Sequence, residues 1–498
     1  MKRGKRQPLI KLLHQIKSQW RVWLGAAALS AASGFAIGFD YRLSVVSIGI
    51  LFFAISLIVN FVNSIAAMVT LVSAAALLTG SNLVPADFMF YLRFVPLAGL
   101  SLRAALQFYD KALSRAMLPM QMLSSLGLVS VLAFLSVLYS PQPMLSFQRA
   151  FTLALVVFGF GVGLASFVSR RRQLNTAIKV LGTMLLAGMV LNLAAGSFSS
   201  DFRFKGLYYS ANAIGILGLM ATVLQLRLYF KARSSVVRYL ALAGLLFCFL
   251  LTVLSGSRAG LLGLLIAILV YGWLANRKKL VVVAGIAAVA VVMISMIAGQ
   301  GIHLGGMMVV RPFADTSGRT AIWQEALGNM SQHPFSFVIG NGFGSSKEVV
   351  TLNKIGESIQ LHSSPLSVLY ELGFVGLAIV AFGLGQIVTG GVKSARARGG
   401  DTLSALLVAV IAGALFDSLF ESWLLAMGSA ETLIFWLLVS LLAIHNRLIR
   451  RKRKKRREVF SSGDSTGVVR DQVNNGNASD HRHRRSHHGQ GWRGHLLS

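Results

Sequence analysis

Arg203 in SDFRFKGLYYSANAIG, Arg258 in LTVLSGSRAGLLG, Arg319 in DTSGRTAIWQEAL and His362 in IQLHSSPLSVLYELGFVGL stand at the edges of long apolar runs. Charge is costly there, and charged residues near a bilayer usually face protein or water along a functional pathway. A guanidinium presents a planar fork of donors that suits phosphate-like anions. An imidazole exchanges protons near neutral pH. The set has the makings of an anion site with an acid–base group beside it. Each residue also has a plain alternative: Arg258 as a snorkelling side chain, Arg319 as an exposed arginine, His362 as an ordinary surface histidine.

Local patterning refines the choice. Arg258 follows Ser255–Gly256–Ser257 in a hairpin too short to leave the membrane surface. Arg319 follows Thr316–Ser317–Gly318, a place where Ser or Thr caps a helix running through Ala321–Met330. Ile322, Trp323, Leu327 and Met330 repeat at helical spacing, which predicts an amphipathic helix on the membrane surface. An arginine in a helix's first turn opposes the dipole, and the conflict becomes an anion site if free N–H groups face the same ligand. After His362, the run Ser363–Ser364–Pro365, with serine at an N-cap and proline at the first helical position, signals a helix start. Glu371, two turns on, is a further candidate, with a buried ion pair as its plain reading. Asp417 and Glu421 are weaker candidates. Gly340–Asn341–Gly342–Phe343–Gly344 has neither a preceding strand nor a following GK[ST], so it reads as a turn and not as a phosphate loop.

These residues must be held by membrane helices. The 498-residue chain is 55% hydrophobic and 13% charged, with mean hydropathy +0.66. Soluble domains carry about 25% charged residues. Lys and Arg number 48 against 17 Asp and Glu, a formal charge of +31. The basic residues cluster at the ends of apolar runs, which points to topology and anionic lipid and away from nucleic acid. Cys248 is the single cysteine, so no intramolecular disulfide forms. The basic N-terminus leads into a first helix read as retained, not as a cleaved signal peptide.

Apolar stretches long enough for helical spans run from 23–39 and 43–61 through 280–298 to 365–388, 402–420 and 430–446. The expected fold is an all-α polytopic transmembrane bundle of about 12–14 spans with one large extracytoplasmic loop bearing short helices. Alternate connections carry Arg103/Lys111/Arg115, Arg170–Arg172, Lys231/Arg233/Arg238, Arg277–Lys279 and Lys393/Arg396/Arg398. By the positive-inside rule these connections and both termini are cytoplasmic. The organisation is then a basic cytoplasmic N-terminus (1–22), a transmembrane bundle (23–299), an extracytoplasmic loop (300–364), C-terminal transmembrane helices (365–448) and a basic, disordered cytoplasmic tail (449–498). The loop holds Arg311, Arg319, Trp323 and His362. The RRKRKKRR run of the tail fits attraction to anionic headgroups.

SRAGLLGLL, SGRTAIWQEAL, GNGFGS and H-S-x-x-L-x-x-L-Y-E-L-G-F-V-G-L, in this order, resemble the bacterial O-antigen ligase and O-antigen polymerase superfamily, as does RFKGLYYSANAIG upstream with Arg203 and Asn212. The resemblance covers about 200–390; where many relatives have His-Asn, this chain has His362–Ser363. It implies a multi-pass enzyme of the bacterial inner membrane, a glycosyltransferase without metal or other cofactor. The donor would be a polyprenyl-diphosphate-linked glycan. The acceptor would be lipid A-core for a ligase, or another lipid-linked repeat unit for a polymerase. By position, Arg203 and Arg319 would bind the diphosphate with Arg258 in support, and His362 would activate the acceptor hydroxyl. Arg311, Trp323 and Glu371 would line the substrate site. A flippase of lipid-linked oligosaccharides is the competing class and requires polar residues along a path through the bilayer, whereas these candidates gather at one face.

Overall fold

The computed structural model describes residues 64–79, 86–109, 118–199, 203–208, 210–282, 285–286, 302–304, 307–310, 319–347, 361–397 and 400–463. The expected spans 23–39 and 43–61, nearly all of 280–298, and Arg311 lie outside them.

The architecture is helical. In chain order the helices are α1 (Ile65–Thr79), α2 (Ala86–Tyr109), α3 (Met120–Leu135), α4 (Pro143–Phe167), α5 (Arg171–Ala195), α6 (Ala211–Lys231), α7 (Ser235–Leu254) and α8 (Arg258–Leu274). A short antiparallel hairpin follows, β1 (Ile302–Leu304) with β2 (Met307–Val310). The remaining helices are α9 (Arg319–Gln332), α10 (Pro334–Ile339), α11 (Ser364–Ala395), α12 (Thr402–Ser418) and α13 (Ala430–Gly463). Among the described residues, seven helices are long and apolar enough to cross a membrane, and α1, α8 and α12 are shorter apolar helices. The chain is thus an all-α polytopic bundle.

The centre of the bundle is made by helices that are apolar on every side. α12 and the part of α13 before His445 are buried almost throughout, as is α6 up to Leu226. α7, by contrast, exposes Val236, Tyr239, Leu240, Leu246, Phe249 and Leu250. Lipid is as apolar as leucine, so helix association depends on close packing between small residues. Gly263 of α8 meets Gly413 of α12 so closely that a Cβ on Gly263 would stand 2.6 Å from the Gly413 carbonyl oxygen.

At the end of the bundle where the basic connections gather, Asp401 ties three helices. It caps α12 through the N–H groups of Leu403 (3.3 Å) and Ser404 (3.2 Å). It also accepts from Ser404 Oγ at 2.7 Å and pairs with Arg171 at the start of α5 and His445 in α13. Burial works against ionisation of Asp401. The hydrogen bond and charge of His445, with Ser404 and Arg171, nevertheless hold its carboxyl well below the usual range.

Two expectations are corrected. Residues 450–463, expected in a disordered tail, continue as helix; Lys and Arg are good helix formers, and Lys454 pairs with Glu458 one turn on at 3.8 Å. The apolar face of α9, expected on the membrane surface, is largely covered by protein, with Leu327 left exposed. Ile322, Ala326 and Met330 are buried against Leu361, just before α11, and Tyr370, in its second turn.

Candidate functional site

Glu421, in the α12–α13 connection, is the carboxylate on which the site converges. Its Oε1 accepts from Arg319 Nη2 at 2.7 Å and from Asn212 Nδ2 at 2.6 Å. Its Oε2 lies 3.5 Å from His362 Nδ1. Asn212 turns its other side to Arg203, whose Nη2 donates to Asn212 Oδ1 and whose Nε donates to the Ser255 carbonyl at 2.8 Å. Arg203, Arg319 and His362 are therefore joined through Asn212 and Glu421 at one end of the bundle, opposite Asp401.

Helix ends and short loops hold each member. Arg203 lies in a tight loop after α5 that is closed by the Phe198–Phe204 bridge. The Phe204 N–H donates to Leu254 O at 3.0 Å, tying that loop to the end of α7. Ser210 caps α6 by accepting from Asn212 N, which places the Asn212 side chain in the first turn. Arg319 is the first residue of α9, and Arg258 is the first residue of α8, where Ser257 accepts from Gly260 N at 3.2 Å.

His362 sits at φ 47, a left-handed conformation uncommon for a residue with a side chain. Such strain persists only where surroundings over-determine it, and here they do. Trp323 Nε1 donates to Leu361 O (2.7 Å), Ser363 N donates to Ser422 Oγ (3.0 Å), and Ser364 Oγ donates to Glu421 O (2.6 Å). Ser363 is the N-cap and α11 begins at Ser364, so Pro365 is its second residue and not its first. The 421–424 segment is fixed in turn by Leu424 N donating to Ser364 Oγ (3.0 Å) and Trp436 Nε1 donating to Leu424 O (2.8 Å). Trp423 Nε1 donates to Asp417 Oδ2 at 2.8 Å, so Asp417 anchors the loop from below.

The other candidates occupy different places. Trp323 is half-buried and supports the residue before His362. Glu371 is buried within α11, where Ser346 Oγ donates to it and Arg149 lies 4.0 Å away. Arg149 also donates to Gly344 O at 2.6 Å, linking α4 to the Gly340–Gly344 turn. Sequence reading missed Arg149 and ranked Glu421 low. The available signal for Glu421 was a single carboxylate in a connection on the same side as three arginines that needed a counter-ion.

The arrangement suits anion binding coupled to proton transfer. A proton on His362 Nδ1 directed at Glu421 leaves Nε2 as the basic nitrogen, and the carboxylate stabilises the imidazolium once formed. Arg203 and Arg319 bring positive charge to the same locality without relying on a flexible ammonium.

The fold and site describe a multi-pass membrane protein with a polar cluster at one end of its helices. Residues 243–381 match the model of the O-Antigen ligase family, in support of the resemblance to the O-antigen ligase and polymerase superfamily. The matched stretch includes Arg258, Arg319, His362 and Glu371; Arg203, Asn212 and Glu421 fall outside it. The comparison with curated proteins found no match.

Proposed function

We propose that this protein is a membrane glycosyltransferase that moves a glycan from a polyprenyl-diphosphate carrier to an acceptor hydroxyl on the outer face of the bacterial inner membrane. Lipid A-core is the preferred acceptor. The observation that carries the reading is the convergence of His362, Arg319 and Arg203 on Glu421 and Asn212, within and beside the O-Antigen ligase match. In the reaction, the acceptor O–H proton passes to His362 Nε2 while the acceptor oxygen bonds to the anomeric carbon. The bond from that carbon to the diphosphate breaks, and the diphosphate leaves with the electron pair. Arg203 and Arg319 take up its charge, with Arg258 in support. Such preorganised positive charge is often the largest single contribution to catalysis. Trp323 supports the site by holding Leu361, the residue before His362, through its hydrogen bond to the Leu361 carbonyl.

The polar cluster at one helix end favours transfer at a membrane face over transport through the bilayer. Anionic lipid headgroups are the partner of the basic helix at 450–457. Surface glycans of a deletion strain test the reading. Loss of a ligase leaves carrier-linked polymer unattached to lipid A-core, loss of a polymerase leaves single repeat units, and unchanged surface glycan refutes both.

A further inference from the structure

α11 is too long for one span. Gly373 interrupts it at φ 67, ψ −174. Beyond the break, residues 374–395 rise about 33 Å at 1.5 Å per residue, close to the roughly 30 Å hydrocarbon thickness. Before it, residues 364–372 form about 14 Å of helix carrying the site end upward. With residues 374–395 as the span, the break falls at the level of the bilayer interface.

α10 packs against that break. A Cβ on Gly373 would stand 2.2 Å from Val338 O, and one on Gly340 would stand 2.3 Å from the Glu371 carbonyl carbon. A kink in a helix frees carbonyls, and at membrane depth these must find partners inside the protein. Asn341 N donates to Tyr370 O (2.8 Å) and Gly342 N donates to Glu371 O (3.1 Å). At the end of α10, Tyr139 Oη donates to Ile339 O at 2.7 Å. The backbone of this connection is thus satisfied by protein, as a segment immersed in lipid requires.

Its side chains face the other way. Phe335 is 80% exposed and Val338 50%, with Ile339 beside them also exposed. Phe374 and Val375, next to the Gly373 break, and Leu138, next to Tyr139 in the turn after α3, are exposed apolar side chains as well. α9, directly before it, presents mainly small or polar residues outward, among them Thr320, Gln324, Ser331 and Gln332, with Leu327 as its one large exposed apolar side chain. We infer that α10 is an interfacial wedge: Phe335, Val338 and Ile339 insert among the lipids at the rim of the bilayer and set the height of the site above the hydrocarbon.

Spin labels test this independently of any activity. In a Cys248→Ser background, Phe335→Cys, Val338→Cys, Ser331→Cys and Phe382→Cys are labelled singly. The full-length protein is placed in vesicles of phosphatidylethanolamine and phosphatidylglycerol. Accessibility to oxygen and to a water-soluble nickel chelate is then measured. The expected result is a higher accessibility to oxygen than to nickel at Phe335, Val338 and the in-span Phe382, with the reverse at Ser331. A nickel-accessible label at Phe335 or Val338 overturns the wedge. Protection from both reagents at either position also overturns it, because the face is then covered by a second copy or another protein. Glycosyl transfer does not enter the readout, so this inference and the proposed function can fail separately.

Discussion

The carboxylate of Glu421 lies among an arginine, an asparagine and an imidazole, so each partner's position depends on it. Arg319→Lys keeps the charge but loses the fork. With a charge-assisted hydrogen bond contributing about 1.5–3 kcal/mol, turnover of a carrier-linked donor by purified Arg319→Lys should fall roughly ten- to a hundredfold. Wild-type turnover would place the anion site elsewhere. His362→Ala should lower turnover by about 10²–10⁴-fold, the usual worth of a general base, and leave donor binding nearly intact. Equal loss of donor binding would make His362 a binding group instead. At this scale Arg203, Arg319 and His362 were legible because charge at the edge of an apolar run is conspicuous. Glu421 was not: its partners lie 209, 102 and 59 residues away along the chain, and only packing makes them neighbours.

Among the elements, the break in α11 and its contact with α10 are the most sensitive to a single methyl group. Gly373→Ala must place a Cβ against the Val338 carbonyl at positive φ. Unfavourable backbone conformations cost about 1–3 kcal/mol, and the clash adds to this. The melting temperature of the detergent-solubilised variant should fall clearly below wild type, whereas Gly385→Ala, with open space around it, should change it little. Asp401 allows a pH test at the opposite end of the bundle. Its folded pKa is depressed, so its stabilisation is fully present above the ordinary carboxylate value of about 3.9 and is lost as pH falls through the lower folded value. Asp401→Asn should therefore melt earlier at neutral pH, and its deficit should shrink as the medium is acidified below about pH 4. A deficit independent of pH would mean that the capping geometry, not the charge, is what matters. Within the described residues hydropathy located the apolar helices well, since length and apolarity are local properties. It did not foresee that Leu361 and Tyr370 cover Ile322 and Met330 of α9, because periodicity shows that a face will be covered without showing by what.

For the whole molecule, the polar cluster and the basic connections lie at opposite helix ends, which the alternation of lysine and arginine clusters had anticipated. Which end faces the cytoplasm is open to direct measurement. In a Cys248→Ser background, cysteines placed at Ser331 and Lys393, both exposed, should respond differently to a membrane-impermeant thiol reagent applied to cells with a permeabilised outer membrane. Labelling is expected at 331 only; labelling at 393 only, or at both, would reverse or break the proposed orientation.

Glu421 also has the character of a resident competitor. In pairing with Arg319 it occupies part of the charge that a diphosphate would claim, so an incoming anion must displace a tethered counter-ion before it can bind. Such a site discriminates against small free anions and favours a ligand with enough negative charge, and enough anchoring elsewhere, to win the exchange. Removing the competitor should then act on affinity and rate in opposite directions. Glu421→Gln should bind inorganic diphosphate more tightly, by about tenfold if the released attraction is near 1.4 kcal/mol, while glycosyl transfer slows because His362 has lost its stabilising carboxylate. Calorimetric titration of the purified variant, set beside its turnover, measures both. Weaker binding together with slower turnover would mean that Glu421 orders the arginines for the ligand and does not compete with it.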